Sequence, residues 1–153
     1  MRIGLVSDTH GLLRDAALEA LRGSDRILHA GDIGDPAILD ALARLAPVDA
    51  IRGNNDTAAW AATLPDSRCI RLGGIAVHML HDLKQLATHP PQGPVDVIVA
   101  GHSHRPLIER RADGVLIVNP GSAGRRRFRL PVSVALLHVQ GGHVEASIVE
   151  LDA

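Results

Sequence analysis

The chain has 153 residues, of which 46% are hydrophobic and 22% are charged, and its formal net charge is −1. This composition is typical of one folded domain, expected over residues 1–153, and excludes a disordered chain. The near-neutral charge argues against a surface built for nucleic acid or an anionic membrane. Only Trp60 and Phe128 are aromatic, so a base-stacking platform is not expected either.

The single cysteine, Cys69, cannot form an intrachain disulfide, which fits a reducing compartment. It falls in a predicted strand, where we expect a small core residue. The N-terminal apolar run is too short for a signal peptide, and no apolar run approaches the ~20 residues that span a bilayer. We therefore expect a cytoplasmic protein without a membrane segment.

The first half alternates strands and helices. "RIGLVSD" is an apolar run typical of a buried strand, and "GLLRDAALEALRGS" has helical spacing up to Gly23. "DRILHAGD" is a second strand, after which Asp35 and Pro36 open a helix to about Arg44. "VDAIRGNND" follows as a third strand. This order predicts parallel strands with right-handed crossovers.

The second half is rich in strands. Glycine pairs at 73–74 and 141–142 predict two hairpins, and "LKQLAT" suggests a short helix. The remaining strands are "VDVIVAG", "PLIERR", "GVLIVN", "VSVALLHVQ" and "HVEASIVEL". The predicted fold class is α/β: a four-layer α-β-β-α sandwich of two mixed sheets flanked by helices.

Polar residues recur where the predicted strands end, and ligands bind at the carboxyl ends of strands in such sheets. Their carboxylate, amide and imidazole donors, without thiolate, suit Mn²⁺, Fe²⁺, Co²⁺, Ni²⁺ or Zn²⁺. Seven ligands are too many for one tetrahedral ion but suit two ions that share a carboxylate. The candidate metal ligands are Asp8, His10, Asp32, Asn54, His81, His102 and His104.

Strand alternation predicts that Asp8 and His10 share one face of the sheet. The same alternation predicts that the side chains of His102 and His104 lie next to each other on one face. Glycines at positions 31, 53 and 101 allow backbone to approach the site closely.

Simpler interpretations exist for several of these residues. His102 and His104 could be ordinary loop histidines, and Asp8 and Asp32 could be helix N-caps. "NPGS" at 119–122 is expected to be a turn that shapes the site. Five further histidines are expected to be structural or at the surface: His29, His78, His89, His138 and His143.

Six blocks in order resemble the calcineurin-like metallophosphoesterase family. They are Asp8-x-His10, Gly31-Asp32, Gly53-Asn54-x-Asp56, His81, Gly101-His102-x-His104 and Asn119-Pro120-Gly121-Ser122. The short chain and the "NPGS" block are similar to the small YfcE-like phosphodiesterase branch. Single blocks are weak signals, but six in order are highly specific.

This resemblance implies a phosphodiesterase with two divalent transition ions, Mn²⁺ foremost, that acts through a metal-bridging hydroxide. One ion would be held by Asp8, His10, Asp32 and His104. The other would be held by Asp32, Asn54, His81 and His102. The Asn54 amide would also help to neutralise charge on the phosphoryl oxygens.

The sequence departs from the family at two positions. Asn55 stands where larger members have a histidine read as the general acid, and small relatives often have cysteine. As the second catalytic candidate beside Asn54, Asn55 could hydrogen-bond to a substrate oxygen but could not supply a proton, which favours diesters with good leaving groups. Asp82 replaces a glycine, and it could orient His81, strengthen metal binding by its charge, or be a plain loop residue.

The expected partner is a small phosphodiester substrate. Nucleic acid is expected only as a substrate, membrane binding is not expected, and a homo-oligomer is possible. The basic run Arg125–Arg127 could steer a phosphate-rich substrate, or be a solvated loop or subunit contact. Two other functions remain open: a non-enzymatic scaffold of the same fold, and a nuclease or cyclic-nucleotide phosphodiesterase.

Overall fold

The first of two five-stranded sheets is built from both ends of the chain. In this computed structural model, which describes residues 1–151, the sheet has the spatial order β10-β9-β1-β2-β3. Its strands are β1 (Arg2–Val6), β2 (Arg26–His29), β3 (Val48–Ala50), β9 (Ser133–Gln140) and β10 (His143–Glu150). The first three are parallel, and β9 pairs antiparallel with both β1 and β10.

The second sheet contains the middle of the chain in the order β4-β5-β6-β8-β7. Its strands are β4 (Ser67–Leu72), β5 (Ile75–Leu80), β6 (Val97–Val99), β7 (Leu107–Arg110) and β8 (Leu116–Asn119). The three central strands are parallel, whereas both edge strands, β4 and β7, run antiparallel to their neighbours. Two mixed sheets were predicted, and this fold class is confirmed.

Two helices cover the outer face of the first sheet. Helix α1 (Asp15–Leu21) is shorter than the predicted span, which began at Gly11 and ended at Gly23, because Gly11 has a φ of +83° and the backbone of Arg14 is extended. Helix α2 (Pro36–Ala43) begins as predicted: the Asp35 carboxylate accepts a hydrogen bond from the Ala37 N–H at 2.9 Å. Within residues 1–151 neither of these helices nor any other could cross a membrane.

The outer face of the second sheet has a thinner cover. The predicted helix over "LKQLAT" is only a 3₁₀ turn at Leu83–Gln85, whose first turn is capped by the Asp82 carboxylate. Leu83 and Leu86 pack on Leu80 and Ile98 of the sheet. A second 3₁₀ helix, Ala59–Thr63, has no counterpart in the sequence prediction.

The main core lies between the two sheets. It includes the fully buried Leu5, Val77 and Val99, from β1, β5 and β6 respectively. These central strands are covered on both faces, which explains their unbroken apolar runs. Because the strands of each parallel set point the same way, their carboxyl ends meet at one edge of the sandwich.

The prediction that Cys69 is a core residue is wrong. Cys69 lies on the edge strand β4 and is exposed. Its Sγ lies 3.0 Å from Nδ1 of the buried His78. A strand pattern alone does not distinguish an edge strand from a central one.

Candidate metal centre

Five of the seven candidate ligands have left-handed backbone conformations. The φ angles are +54° for Asp8, +45° for His10, +55° for Asp32, +70° for His102 and +61° for His104. The alternation argument for these pairs is wrong, because β1 ends at residue 6 and β6 at residue 99, so that both pairs lie in loops. Strained backbone of this kind concentrates at functional sites, where surrounding contacts hold it in place.

Asp8 is the fully buried middle of the cluster. Its Oδ2 accepts hydrogen bonds from the Ser7 hydroxyl at 2.7 Å and the His102 backbone N–H at 3.0 Å. Its Oδ1 faces the Nε2 atoms of three histidines, at 3.6 Å from His10, 3.7 Å from His81 and 3.4 Å from His104. Burial would raise the pKa of this carboxyl, but the contacts with His10 and His104 hold it far below its usual value.

Asp32 is oriented by Asn55. The Asn55 backbone N–H donates to Oδ1 at 2.9 Å, and its side-chain amide donates to Oδ2 at 3.0 Å. Burial opposes ionisation of Asp32, but the contacts with His81 and Asn55 lower its pKa. In this conformation the Asn55 side-chain amide is hydrogen-bonded to the Asp32 carboxylate.

The ring of His81 is fixed in one tautomer. Its Nδ1 donates to the Ala30 carbonyl at 2.7 Å, which leaves Nε2 directed at Asp32 Oδ2, 3.2 Å away. Burial would lower the pKa of His81, but Asp32 and Asp8 together raise it to about 8. When neutral, this Nε2 presents a lone pair to the centre between the carboxylates.

His10 and His104 complete the opposite side of Asp8. Their rings lie 5.4 Å apart, centroid to centroid. The contact with Asp8 raises the pKa of His10, against burial and the nearby positive charge of Arg127. The ligand atoms of Asp8, His10 and His104 lie within 4.8 Å of one another, as do those of a second group formed by Asp8, Asp32 and His81.

Several donor atoms in this cluster are buried without a hydrogen-bond partner in residues 1–151. They are Asp8 Oδ1, His10 Nε2, His81 Nε2 and His104 Nδ1. Burying polar atoms unpaired is costly, so four of them in one cluster are the arrangement expected of residues that bind a ligand. Their mixture of carboxylate oxygen and imidazole nitrogen fits divalent transition metals.

Asn54 and His102 form the open rim of the cluster. Asn54 Oδ1 lies 3.3 Å from His102 Nδ1, and the His102 side chain is 45% exposed. The structure brings them beside His81, whose ring centroid is 5.3 Å from that of His102. Asp82 faces His102, with 3.6 Å between Oδ2 and Nε2, and does not contact His81 as one expectation had it.

A cleft of about 350 Å³ opens from this rim. The wall of this cleft includes Asn54, His81 and His102. Arg52 adds a positive charge to the wall, and Asp66 and Asp82 add negative charges. Arg52 is paired with Asp66 at 2.8 Å. The cleft therefore opens onto Asn54, His81 and His102, at the rim of the cluster.

Asp56 is a supporting residue for which sequence reasoning assigned no role. This buried carboxylate accepts hydrogen bonds from the backbone N–H groups of Ile33, Gly34 and Gly53, at 2.9 to 3.1 Å. It thus ties the loop of Asp32 to the loop of Asn54. The only signal was its place within the "GNND" block.

The "NPGS" turn shapes the site as predicted. The Asn119 amide donates to the Gly101 carbonyl at 2.9 Å and to the Ser103 hydroxyl at 3.0 Å. The Ser122 hydroxyl donates to the Asp8 carbonyl at 3.0 Å. These contacts hold two ligand loops in register without placing a side chain among the ligands.

His29 is a structural residue, as expected. The Thr9 hydroxyl donates to the Ile33 carbonyl, so it accepts from His29 Nε2 at 3.0 Å. His29 Nδ1 in turn accepts from the Gly31 N–H at 3.1 Å. Burial lowers the pKa of His29 to about 4, so the ring stays neutral and braces the Asp32 loop.

The expected close approach at glycine is confirmed at positions 31, 53 and 101, and at Gly31 a Cβ would lie 2.8 Å from the backbone nitrogen of Gly53. A Cβ on Gly53 would lie 2.1 Å from Asp32 Oδ1, and one on Gly101 would lie 2.0 Å from Ser7 Oγ. None of these positions has room for a side chain, because the ligand loops pass directly over them.

Comparison with known proteins agrees with this geometry. The sequence profile of the calcineurin-like phosphoesterase superfamily domain matches residues 1–142. A probable metallophosphoesterase of Methanothermobacter thermautotrophicus is 36% identical over 165 aligned positions, which cover 100% of this chain and 94% of that protein.

Two solved structures share the fold. An archaeal phosphodiesterase superposes with a TM-score of 0.79 at 22% identity, covering 97% of this chain and 100% of the other. Vps29 of Chaetomium thermophilum superposes with a TM-score of 0.78 at 21% identity, covering 99% and 97%. With the family profile spanning nearly the whole chain, the protein belongs to the calcineurin-like phosphoesterase superfamily.

Proposed function

We propose that this protein is a phosphodiesterase that depends on two divalent metal ions. The observation that carries the proposal is the buried cluster around Asp8, in which Asp8 Oδ1, His10 Nε2 and His81 Nε2 lack hydrogen-bond partners and His104 Nε2 lies 3.4 Å from Asp8 Oδ1. The relative named as a probable metallophosphoesterase and the archaeal phosphodiesterase of the same fold support it.

The two ligand groups suggest how the ions are shared. Asp8, His10 and His104 would hold one ion, and Asp32 and His81 the other, with Asn54 and His102 closing it at the rim. Asp8 belongs to both groups, and Asp32 lies 3.6 Å from His10, so either carboxylate can bridge. When bound, the ions supply Lewis-acid activation of water and of the phosphoryl oxygens. Mn²⁺ is the ion that the family resemblance puts first, and the mixed oxygen and imidazole donors also suit Ni²⁺, Co²⁺, Fe²⁺ or Zn²⁺.

The chain's own residues orient this chemistry. Asn55 keeps both oxygens of Asp32 in place, and the carbonyl of Ala30 keeps His81 Nε2 directed inward. Asn54 stands at the open rim, where its amide can donate to a phosphoryl oxygen. In the reaction a water oxygen bonds to phosphorus and the P–O bond to the leaving group breaks, the leaving group taking the electron pair.

Protonation of the leaving group is the weak point of the site. Asn55 has no acidic proton at neutral pH, and its amide is engaged by Asp32. Esters whose leaving groups depart as stable anions are therefore the favoured substrates. The rate should fall as the pKa of the leaving alcohol rises.

Hydrolysis of bis(p-nitrophenyl) phosphate by the metal-free protein, reloaded with Mn²⁺, Ni²⁺ or Co²⁺, tests the proposal. We expect turnover that is reduced at least a hundredfold in His104→Ala, whereas His138→Ala, an exposed histidine on β9, should match the wild type. No turnover with any of the three metals, or full activity in His104→Ala, would contradict it.

A non-enzymatic scaffold is the second candidate. The observation in its favour is the edge strand β7, where Leu107 and Ile108 are 37% and 41% exposed, on a fold shared with Vps29. The two functions differ in metal content. Less than one transition ion per purified chain would favour the scaffold, and two would favour the enzyme.

A further inference from the structure

A strongly basic loop with an exposed aromatic ring lies outside the site described above. This arginine loop, residues 125–129, reads Arg-Arg-Arg-Phe-Arg, and all five residues are exposed. Within residues 1–151 none of its four guanidinium groups lies within 4.0 Å of a carboxylate. Other arginines of the described chain also lack an ion pair, but only in this loop do four such guanidinium groups lie within five residues.

The base of the loop is fixed to the metal-ligand segment. The Ala123 N–H donates to the Ser7 carbonyl at 3.0 Å, and Arg14 Nε donates to the Gly124 carbonyl at 3.1 Å. A Cβ on Gly124 would lie only 2.2 Å from the carbonyl oxygen of Thr9. The loop therefore emerges directly beside Asp8, on a rigid support.

The loop also brings concentrated positive charge to this side of the site. Four positive charges in five residues, on a chain whose net charge is −1, form a local anion-attracting field at one side of the site.

Phe128 is presented outward rather than packed. It is the only phenylalanine of the chain and is 88% exposed. Its φ of +54° is unusual for a bulky residue, and the turn is closed by a hydrogen bond from the Leu130 N–H to the Arg127 carbonyl at 3.2 Å. A strained backbone that holds an aromatic ring in solvent, between arginines, is typical of a ligand clamp.

The combination of charges and ring specifies a ligand chemistry. Guanidinium groups bind phosphate oxygens in fixed geometry, and a flanking aromatic ring stacks on the planar face of a base. A lipid surface fits less well, because Phe128 is the only apolar side chain among the five and one ring buries too little area for an anchor.

We propose that the arginine loop binds the nucleoside arm of a nucleotide diester, so that Phe128 stacks on the base while the guanidinium groups hold further phosphates. This rests on the proposed phosphodiesterase function and names its substrate class. The small extent of the loop limits recognition to a short, single-stranded nucleotide rather than a long nucleic acid.

The test uses two esters with the same leaving group, thymidine 5′-(p-nitrophenyl phosphate) and methyl p-nitrophenyl phosphate. In the wild type we expect kcat/KM to favour the nucleotide ester by at least about tenfold, as one stacked base provides. Phe128→Ala should bring that ratio close to one, and Phe128→Trp should restore it. Arg44→Gln, an exposed arginine at the end of α2, should leave the ratio unchanged.

Binding of the dinucleotide pTpT to the metal-free protein, measured by calorimetry, separates this inference from catalysis. One outcome is that neither ester is hydrolysed, but pTpT binds and Phe128→Ala lowers the affinity for pTpT about tenfold. In that case the phosphodiesterase proposal fails, while nucleotide binding by the arginine loop is supported. If both esters are hydrolysed with the same ratio in wild type and Phe128→Ala, the inference is overturned. Cosedimentation with phosphatidylglycerol vesicles that depends on Phe128, without an effect on the ratio, would also overturn it.

Discussion

Asn55 shows how one hydrogen-bonding residue can fix the orientation of a buried carboxylate. Its backbone and side-chain N–H groups satisfy both oxygens of Asp32, which fixes the direction of that carboxylate. An asparagine can donate these hydrogen bonds to Asp32 without being protonated or deprotonated itself. In the proposed site, Asn55 would thus orient the carboxylate that the two ions share, although it cannot itself act as a general acid.

Replacing Asn55 with alanine should therefore weaken metal binding. Partners of this kind contribute about 10- to 100-fold in metal affinity, so the dissociation constant for Mn²⁺ should rise by that factor in Asn55→Ala. Calorimetric titration measures it, with the exposed neighbour Thr57→Ala as the matched control. Unchanged affinity in Asn55→Ala would mean that Asp32 is held by other contacts.

His29 should make the metal-free protein sensitive to acid. The pKa of this buried ring is about 4 in the folded protein, against about 6.5 when unfolded, so the unfolded chain binds the extra proton between these values. Stability is therefore lost as the pH falls from 6.5 towards 4, by about 2 kcal/mol at pH 5.

Urea unfolding of wild type and His29→Gln, at pH 7 and pH 5 with chelator, measures this loss. The wild type should lose about 2 kcal/mol more than the variant between the two pH values, whatever the variant's stability at pH 7. Equal losses would show that His29 is protonated in the folded protein.

At the scale of elements, the ligand loops are held together by close backbone contacts. Gly101 lies against Ser7 Oγ and Asp8 Oδ2, so the loop after β6 and the loop after β1 have no space between them. An added methyl group there would displace the Ser7 hydroxyl from Asp8. Stability and the metal site are coupled at this contact.

Gly101→Ala should destabilise the fold by about 1–3 kcal/mol, the usual cost of overpacking, and also reduce metal affinity. Gly74→Ala is the control: its φ of +85° costs about 1 kcal/mol in strain, but its surroundings are open and remote from the ligands. Thermal unfolding with and without Mn²⁺ separates the two effects. A metal-dependent stabilisation in Gly101→Ala equal to that in Gly74→Ala would contradict the coupling.

The order of the elements was predictable, because apolar runs, the Asp35–Pro36 start and the Gly73–Gly74 turn are local signals. The left-handed backbone at Asp8 and His10 was not, since only the completed fold can hold such residues in that conformation. The edge position of Cys69 and the reach of Asp56 between two loops depend on strand order and tertiary contacts. These are absent from any short window of sequence.

At the scale of the whole molecule, metal binding should be linked to pH. His81 has a pKa of about 8 in the metal-free protein because Asp32 and Asp8 outweigh its burial, and it must lose its proton to become a ligand. Affinity should therefore fall as the pH drops below 8, by about tenfold for each unit per proton released. Calorimetry in buffers of different ionisation enthalpy measures that proton release, and a pH-independent affinity would contradict it.

The central claim is that seven side chains from both sheets hold two ions. A crystal of the protein loaded with Mn²⁺, measured at the manganese absorption edge, tests it most directly. Two anomalous peaks are expected, one among Asp8, His10 and His104 and one beside Asp32 and His81. A single peak, or none at these side chains in a protein that is otherwise folded as described, would contradict it.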